Sequence, residues 1–91
     1  MQTHFLKTDN SDFESTWWGL KTFEIRKNDR DFKIGDTLIL IDYMTGWDDP
    51  FSGRLLACSV RHITMGDQLG LDKDFVVMSI FVKERGKSTS Y

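Results

Sequence analysis

Apolar and polar positions alternate along most of this chain with a period of two, interrupted early by one stretch of helical spacing. His4-Phe5-Leu6-Lys7 predicts a short first strand, and Thr8-Asp9-Asn10 a turn. Ser11-Asp12-Phe13-Glu14 fits a capping box, with Ser11 as N-cap and Glu14 three residues on. A short helix from Asp12 to Trp18 follows. Asp12 and Glu14 suit its positive N-terminal end, and Gly19 suits the position just past its last turn. Phe13 and Trp17 share the face that docks on a sheet, and Trp18 lies around the helix at the edge of a cleft.

Lys21 to Lys27 predicts a second strand, with Phe23 and Ile25 facing the core and Thr22, Glu24 and Arg26 on the opposite face. Asn28-Asp29-Arg30-Asp31 is a polar turn, and Gly35 requires a positive φ in a second turn before Asp36. Thr37 to Tyr43 is apolar on both faces, as expected for a strand with the core on one side and a helix or loop on the other. A loop spans Met44 to Ser52. A long hairpin then runs back from about Gly53 to Thr64, with Leu56, Cys58 and Val60 on one face. After a loop from Met65 to Asp74, the last strand is Phe75 to Val82, again apolar on both faces, and a polar segment from Lys83 to Tyr91 frays. Five or six short strands with one early short helix predict an α+β fold, a small and strongly bent mixed sheet closing as a barrel. Closure removes free strand edges. Residues 1–82 form the single domain and 83–91 its tail.

Composition narrows the function. At 91 residues the chain holds one core, and 40% hydrophobic with 29% charged residues is ordinary for a folded domain. The formal charge of -2 excludes a generic charge-driven nucleic-acid binder. The charge is uneven, however. Lys21, Arg26, Lys27, Arg30 and Lys33 outnumber Glu24, Asp29 and Asp31 within one segment, which suits a discrete site. Cys58 is the only cysteine, which fits a reducing compartment. With no signal-peptide pattern at the N-terminus and no long apolar run, the expected location is the cytoplasm.

The chemistry concentrates in Gly19-Leu20-Lys21-Thr22-Phe23-Glu24-Ile25-Arg26. Two cations and a carboxylate so close together form either a solvated salt-bridge cluster or a ligand site. In a ligand site Arg26 holds phosphate or a base edge, Lys21 supplies a point charge, and Glu24 orients one of them or accepts from a base amino group. Lys27 and Arg30 are candidate phosphate contacts at the rim. Of the aromatic residues that could stack bases, Trp17 belongs to the core stripe, Trp18 is open, and Trp47 has repelling neighbours in Asp48 and Asp49. No metal is expected. Cys58 and His62 stand about 13 Å apart on a strand, too far to share an ion. Asp67, Asp72 and Asp74 lack calcium-loop spacing. Gly86-Lys87-Ser88 lacks the first glycine of a P-loop, Phe81 standing in its place. Asp12, Asp36 and Asp42 read as cap, turn and strand-end residues, and His4 as an ordinary N-terminal side chain.

Gly19-x-Lys21-x-x-Glu24-x-Arg26 resembles the GxKxxExR signature of the ASCH superfamily, whose fold is a PUA-like β-barrel. The flanks are similar to a bacterial and phage branch of unknown function. They include His4-Phe5-Leu6-Lys7, the run from Phe23 to Asp36, and Gly70-Leu71 before Phe75-Val76-Val77. The likeness covers about residues 3 to 82. It implies an RNA- or nucleotide-binding cleft floored by the motif, raises Lys7 to a cleft residue beside Lys21, Glu24 and Arg26, and implies no cofactor. One enzymatic branch of the superfamily hydrolyses an acylated cytidine with the motif lysine as base and a threonine as nucleophile. Glu24 stands where that threonine would be, so this activity would need Lys21 with a water activated by Glu24, or another nucleophile. A phage or prophage protein that binds a host protein is the remaining alternative.

Overall fold

The computed structural model describes residues 1–87. Strand β1 (Thr3–Asp9) leads directly into helix α1 (Asn10–Trp17), followed by β2 (Phe23–Lys27), β3 (Thr37–Tyr43), β4 (Phe51–Met65), a short 3-10 turn at Gly66–Leu69, and β5 (Phe75–Lys87). The five strands form one sheet in the order β1-β3-β4-β5-β2. β1 runs parallel to β3 and every other pair is antiparallel, so the sheet is mixed. It curls into a half-barrel around one core, making a small α+β domain with one α-helix among the described residues.

Period-two alternation sets the inner face. Leu6 on β1, Leu38 and Leu40 on β3, Leu56, Cys58 and Val60 on β4, and Val76, Met78 and Ile80 on β5 are all buried. Phe13 from α1 and Phe32 from the loop after β2 complete this core. Register shifts near Cys58 and between Val60 and His62 bend the long β4–β5 ribbon around it. The Phe13 and Trp17 rings lie 5.8 Å apart, sharing a face as their spacing predicts.

Several boundaries differ from expectation. β1 continues through the expected turn to Asp9, because all seven of its residues pair in register with β3. The helix therefore starts at Asn10 with Asp9 as N-cap, and Ser11 lies inside it, its Oγ donating to Asp9 Oδ2. The expected capping box does not form. Glu14 accepts instead from Arg54 and from Trp18 Nε1. β5 passes Val82 and runs to Lys87, held by its ladder with the start of β4 and by Arg85 Nε donating to the Trp17 carbonyl. The rest of the expected tail, 88–91, lies outside the described residues. Among the described residues no helix covers the outer side of the sheet, since α1 sends Phe13 into the inner core, and Phe5 and Phe81 stand exposed. The barrel does not close by a backbone ladder either, as β1 and β2 are the two edges of the sheet and do not pair with each other.

Two buried carboxylates pin the ends of β3. Asp42 accepts from Asn10 Nδ2, Ser52 Oγ and Arg54, whose guanidinium lies 5.2 Å from the Phe13 ring and 5.0 Å from the Trp17 ring. Asp36 follows Gly35, whose φ of +93° is the positive value expected there. Its carboxylate accepts from the Gln2 and Lys33 amides and lies 2.8 Å from His4 Nε2. His4 is buried edge-on against Phe32. Asp36 and Asp42 thus occupy the expected turn and strand end but with buried carboxylates that hold the interior together, and His4 is part of that interior rather than an ordinary N-terminal side chain.

Burial alone would raise the Asp36 carboxyl pKa. The hydrogen bonds from Gln2, His4 and Lys33 outweigh it and hold the group below its ordinary value. A lowered folded pKa contributes stability above the unfolded value of about 3.9 and loses it as pH falls through the folded value. Asp36→Asn is therefore expected to unfold at lower urea than wild type at neutral pH. Its stability should also fall less steeply than wild type on acidification below about pH 4, which urea titrations across that range will measure.

Candidate functional site

The seam between the two sheet edges holds the site. Helix α1 ends in a Schellman turn. Gly19, at φ +77°, donates its amide to Thr16 O, and the Leu20 amide donates to Ser15 O. The Lys21 amide also donates to Ser15 O, and this brings the Lys21 side chain to the mouth of the seam. Trp18 caps the helix and points to solvent.

On β2 the facing is the reverse of the expected one. Phe23 and Ile25 are 40% and 44% exposed, whereas Glu24 is 2% exposed and pairs in register with the buried Met78. Alternation holds, but the charged face points inward. The physical reason is mutual neutralisation. Glu24 Oε2 lies 2.9 Å from Lys21 Nζ, and Glu24 Oε1 accepts from Arg26 Nε at 3.0 Å. Arg26 then crosses the seam, donating from one terminal nitrogen to Lys7 O at 3.2 Å and from the other to Thr8 Oγ1 at 2.9 Å. One charge-assisted chain of hydrogen bonds thus joins the helix end, β2 and β1 where no ladder does.

A cleft of about 490 Å³ opens above this chain, lined by Lys7, Thr8, Asp9 and Asp12 on one side and by Lys21 and residues 23–26 on the other. The structure brings Lys7, Lys21, Glu24 and Arg26 together here. Lys7 contributes its carbonyl to the seam, while its Nζ lies 5.0 Å from the Tyr43 ring centre. The backbone of β2 adds polar groups. Thr22 O accepts from Ile80 and the Asn28 amide donates to Asp74 O, so the even-numbered residues bond β5. Phe23 and Ile25 consequently turn their N–H and C=O toward the seam. Lys27 and Arg30 lie outside this cleft and, with Arg26, Leu6, Asp29 and Phe32, line a smaller one of about 190 Å³. Trp18 and the exposed Trp47 line neither. Thr8, Asp9 and Asp12 are cleft residues that sequence reasoning missed, Thr8 and Asp9 because β1 was expected to end before them and Asp12 because it was read as a helix-cap residue.

Burial, reinforced by the Glu24 charge, pushes the Cys58 thiol up to about 12, so it is not a nucleophile. Among the described residues no group of three or more His, Cys, Asp or Glu side chains is placed to hold a metal. No helix among them is long and apolar enough to cross a membrane.

Removing Glu24 leaves two partly buried cations facing each other. Glu24→Ala is expected to cost about 2–3 kcal/mol, below the full cost for a wholly buried pair because Lys21 and Arg26 keep some solvent contact. Arg26→Ala should cost less overall but raise amide exchange selectively in β1 and β2. Urea denaturation and hydrogen exchange by NMR will measure both effects.

No curated protein matches the chain. Residues 3–80 match the model of the domain-of-unknown-function family DUF3850, a span that takes in the helix, the seam and the whole of both clefts. The chain belongs to the DUF3850 family.

Proposed function

We propose that the protein is a binding domain of the PUA-like, ASCH kind that holds an RNA nucleotide or nucleotide-like ligand in the seam between β1 and β2. One observation carries this reading: Lys21, Glu24 and Arg26 are locked in a single hydrogen-bonded chain at the floor of a cleft of ligand size. A solvated salt bridge would be free to move, whereas these side chains are fixed by burial and by partners on another strand. The β2 backbone at Phe23 and Ile25 offers donor and acceptor groups to a base edge, and the Phe23 ring borders the opening. The curled mixed sheet and early helix support the PUA-like assignment, as does the distribution of roles over the motif. Gly19 turns the chain, Lys21 and Glu24 pair, and Arg26 spans the seam.

Binding fits better than hydrolysis. Lys21 is engaged as a donor to a buried carboxylate, which does not suit a proton acceptor, and Cys58 is sealed in the core. Thr22 is exposed and lies outside the cleft.

Titration of the ¹⁵N-labelled protein with a panel of ribonucleosides, modified nucleosides and a short mixed RNA tests the reading. Saturable shifts are expected at Lys21, Glu24, Arg26 and the β1 residues 7–9. Lys21→Ala should weaken binding by about tenfold, equivalent to ~1.4 kcal/mol. Absence of shifts at millimolar ligand would reject the nucleotide reading in favour of a protein partner. Product release from any nucleoside, lost in Lys21→Ala, would revive hydrolysis.

A further inference from the structure

Among the described residues Arg26 is the only one shared by the two cavities of the seam, and it stands between them. Their electrostatics differ. The larger compartment is lined by three cationic residues (Lys7, Lys21, Arg26) and three acidic ones (Asp9, Asp12, Glu24), so its formal charges cancel. Its two innermost cations are already engaged by Glu24. A polyanion gains little there, because each new contact must compete with a buried carboxylate at hydrogen-bond distance.

The smaller compartment has the opposite character. Lys27 and Arg30 outnumber Asp29, and among the described residues neither Lys27 nor Arg30 makes an ion pair. Buried Leu6 and Phe32 contribute apolar surface to its wall. The loop that carries Arg30 is braced at both ends, the Asn28 amide donating to Asp74 O at 2.8 Å and Asn28 Oδ1 accepting from the Phe32 amide at 3.1 Å. Two uncommitted cations, Lys27 at the end of β2 and Arg30 on the braced loop that follows, beside a low-dielectric wall make an anion site.

We propose that the seam is a two-compartment site, in which the neutral compartment takes the uncharged base and sugar and the Lys27–Arg30 compartment takes a phosphate ester attached to them, with Arg26 as the partition. The assignment rests on the nucleotide reading for the first compartment. It names what that reading leaves open, namely which end of the seam faces the phosphate. The same chemistry is offered by a mononucleotide and by one residue of an RNA strand.

The test compares each of the four ribonucleosides with its 5′- and 3′-monophosphates, inorganic phosphate and a short RNA, by NMR titration of wild type and of the surface double variant Lys27→Ala/Arg30→Ala. At least one monophosphate should bind about tenfold more tightly than its nucleoside at low salt. That increment should shrink as salt is raised and vanish in the double variant. Inorganic phosphate alone should shift amides 26–30 in wild type only. A further gain of tenfold or more for the RNA would assign the phosphate to a strand, and its absence to a mononucleotide. Equal affinity for nucleoside and monophosphate overturns the proposal, as does an increment that survives in the double variant. Phosphate shifts at 26–30 without any nucleoside binding would retain the anion compartment and reject the nucleotide reading of its neighbour. Absence of phosphate shifts together with absence of an increment rejects the anion compartment outright.

Discussion

The Glu24 carboxylate, buried and shared between Lys21 and Arg26, is the constraint from which the architecture of the seam follows. A half-barrel leaves two strand edges that can neither pair across the gap nor stay open without exposing the core between them. Glu24 draws two cations inward, and one of them is long enough to reach the opposite edge and bond both a carbonyl and a hydroxyl there. Closure by side chains costs the desolvation of three charges but leaves space that a closed hydrogen-bond ladder would fill. That space is the cleft. The same interaction therefore holds the edges together and keeps them apart.

Carboxylates perform this service in three places. Asp36 ties the start of β3 to the N-terminal segment through Gln2 and His4, and Asp42 ties the end of β3 to α1 and β4 through Asn10, Ser52 and Arg54. Asp36 and Asp42 accept from segments distant in sequence, Glu24 reaches its distant strand through Arg26, and no buried side-chain polar atom among the described residues lacks a partner. A core of this size has little apolar surface to spend on specificity. Saturated polar clusters at the sheet's ends are well suited to defining how the strands meet.

The regular parts of the fold were legible because their causes are local. Alternation identified the buried face of β4, whereas β3 and β5 read as strands apolar on both faces with the inner one unassigned, and the glycine after the helix marked its end, since only a residue tolerant of positive φ completes that turn. The candidate residues Lys21, Glu24 and Arg26 were visible as a charged cluster at strand spacing. Their orientation was not. Hydrophobic alternation assigns Phe23 and Ile25 to the core, and only the unpaired gap beside β2, a property of the whole sheet, reverses that assignment. His4 with Asp36 and Asp42 with Arg54 were illegible for a related reason. The first pair is separated by the helix and β2 and the second by the loop between β3 and β4, and nothing near either member signals the other. Thr8 and Asp9 were missed because polar residues at the end of a strand look like a turn until a parallel partner is known to pair with them, and Asp12 because its place in the first turn of the helix already accounted for it.

The strand order also bears on how the molecule assembles. β3, β4 and β5 follow one another along the chain and pair as antiparallel neighbours, whereas β1 must find β3 across the helix and β2, and β2 must find β5 across both β3 and β4. Contacts between neighbours close short loops and form early, while those that span intervening elements are entropically delayed. The two lips of the seam are these late arrivals. The meander of β3, β4 and β5 is thus expected to form first and the cleft to be assembled on it last, so that local unfolding that opens the cleft need not melt the meander beneath it.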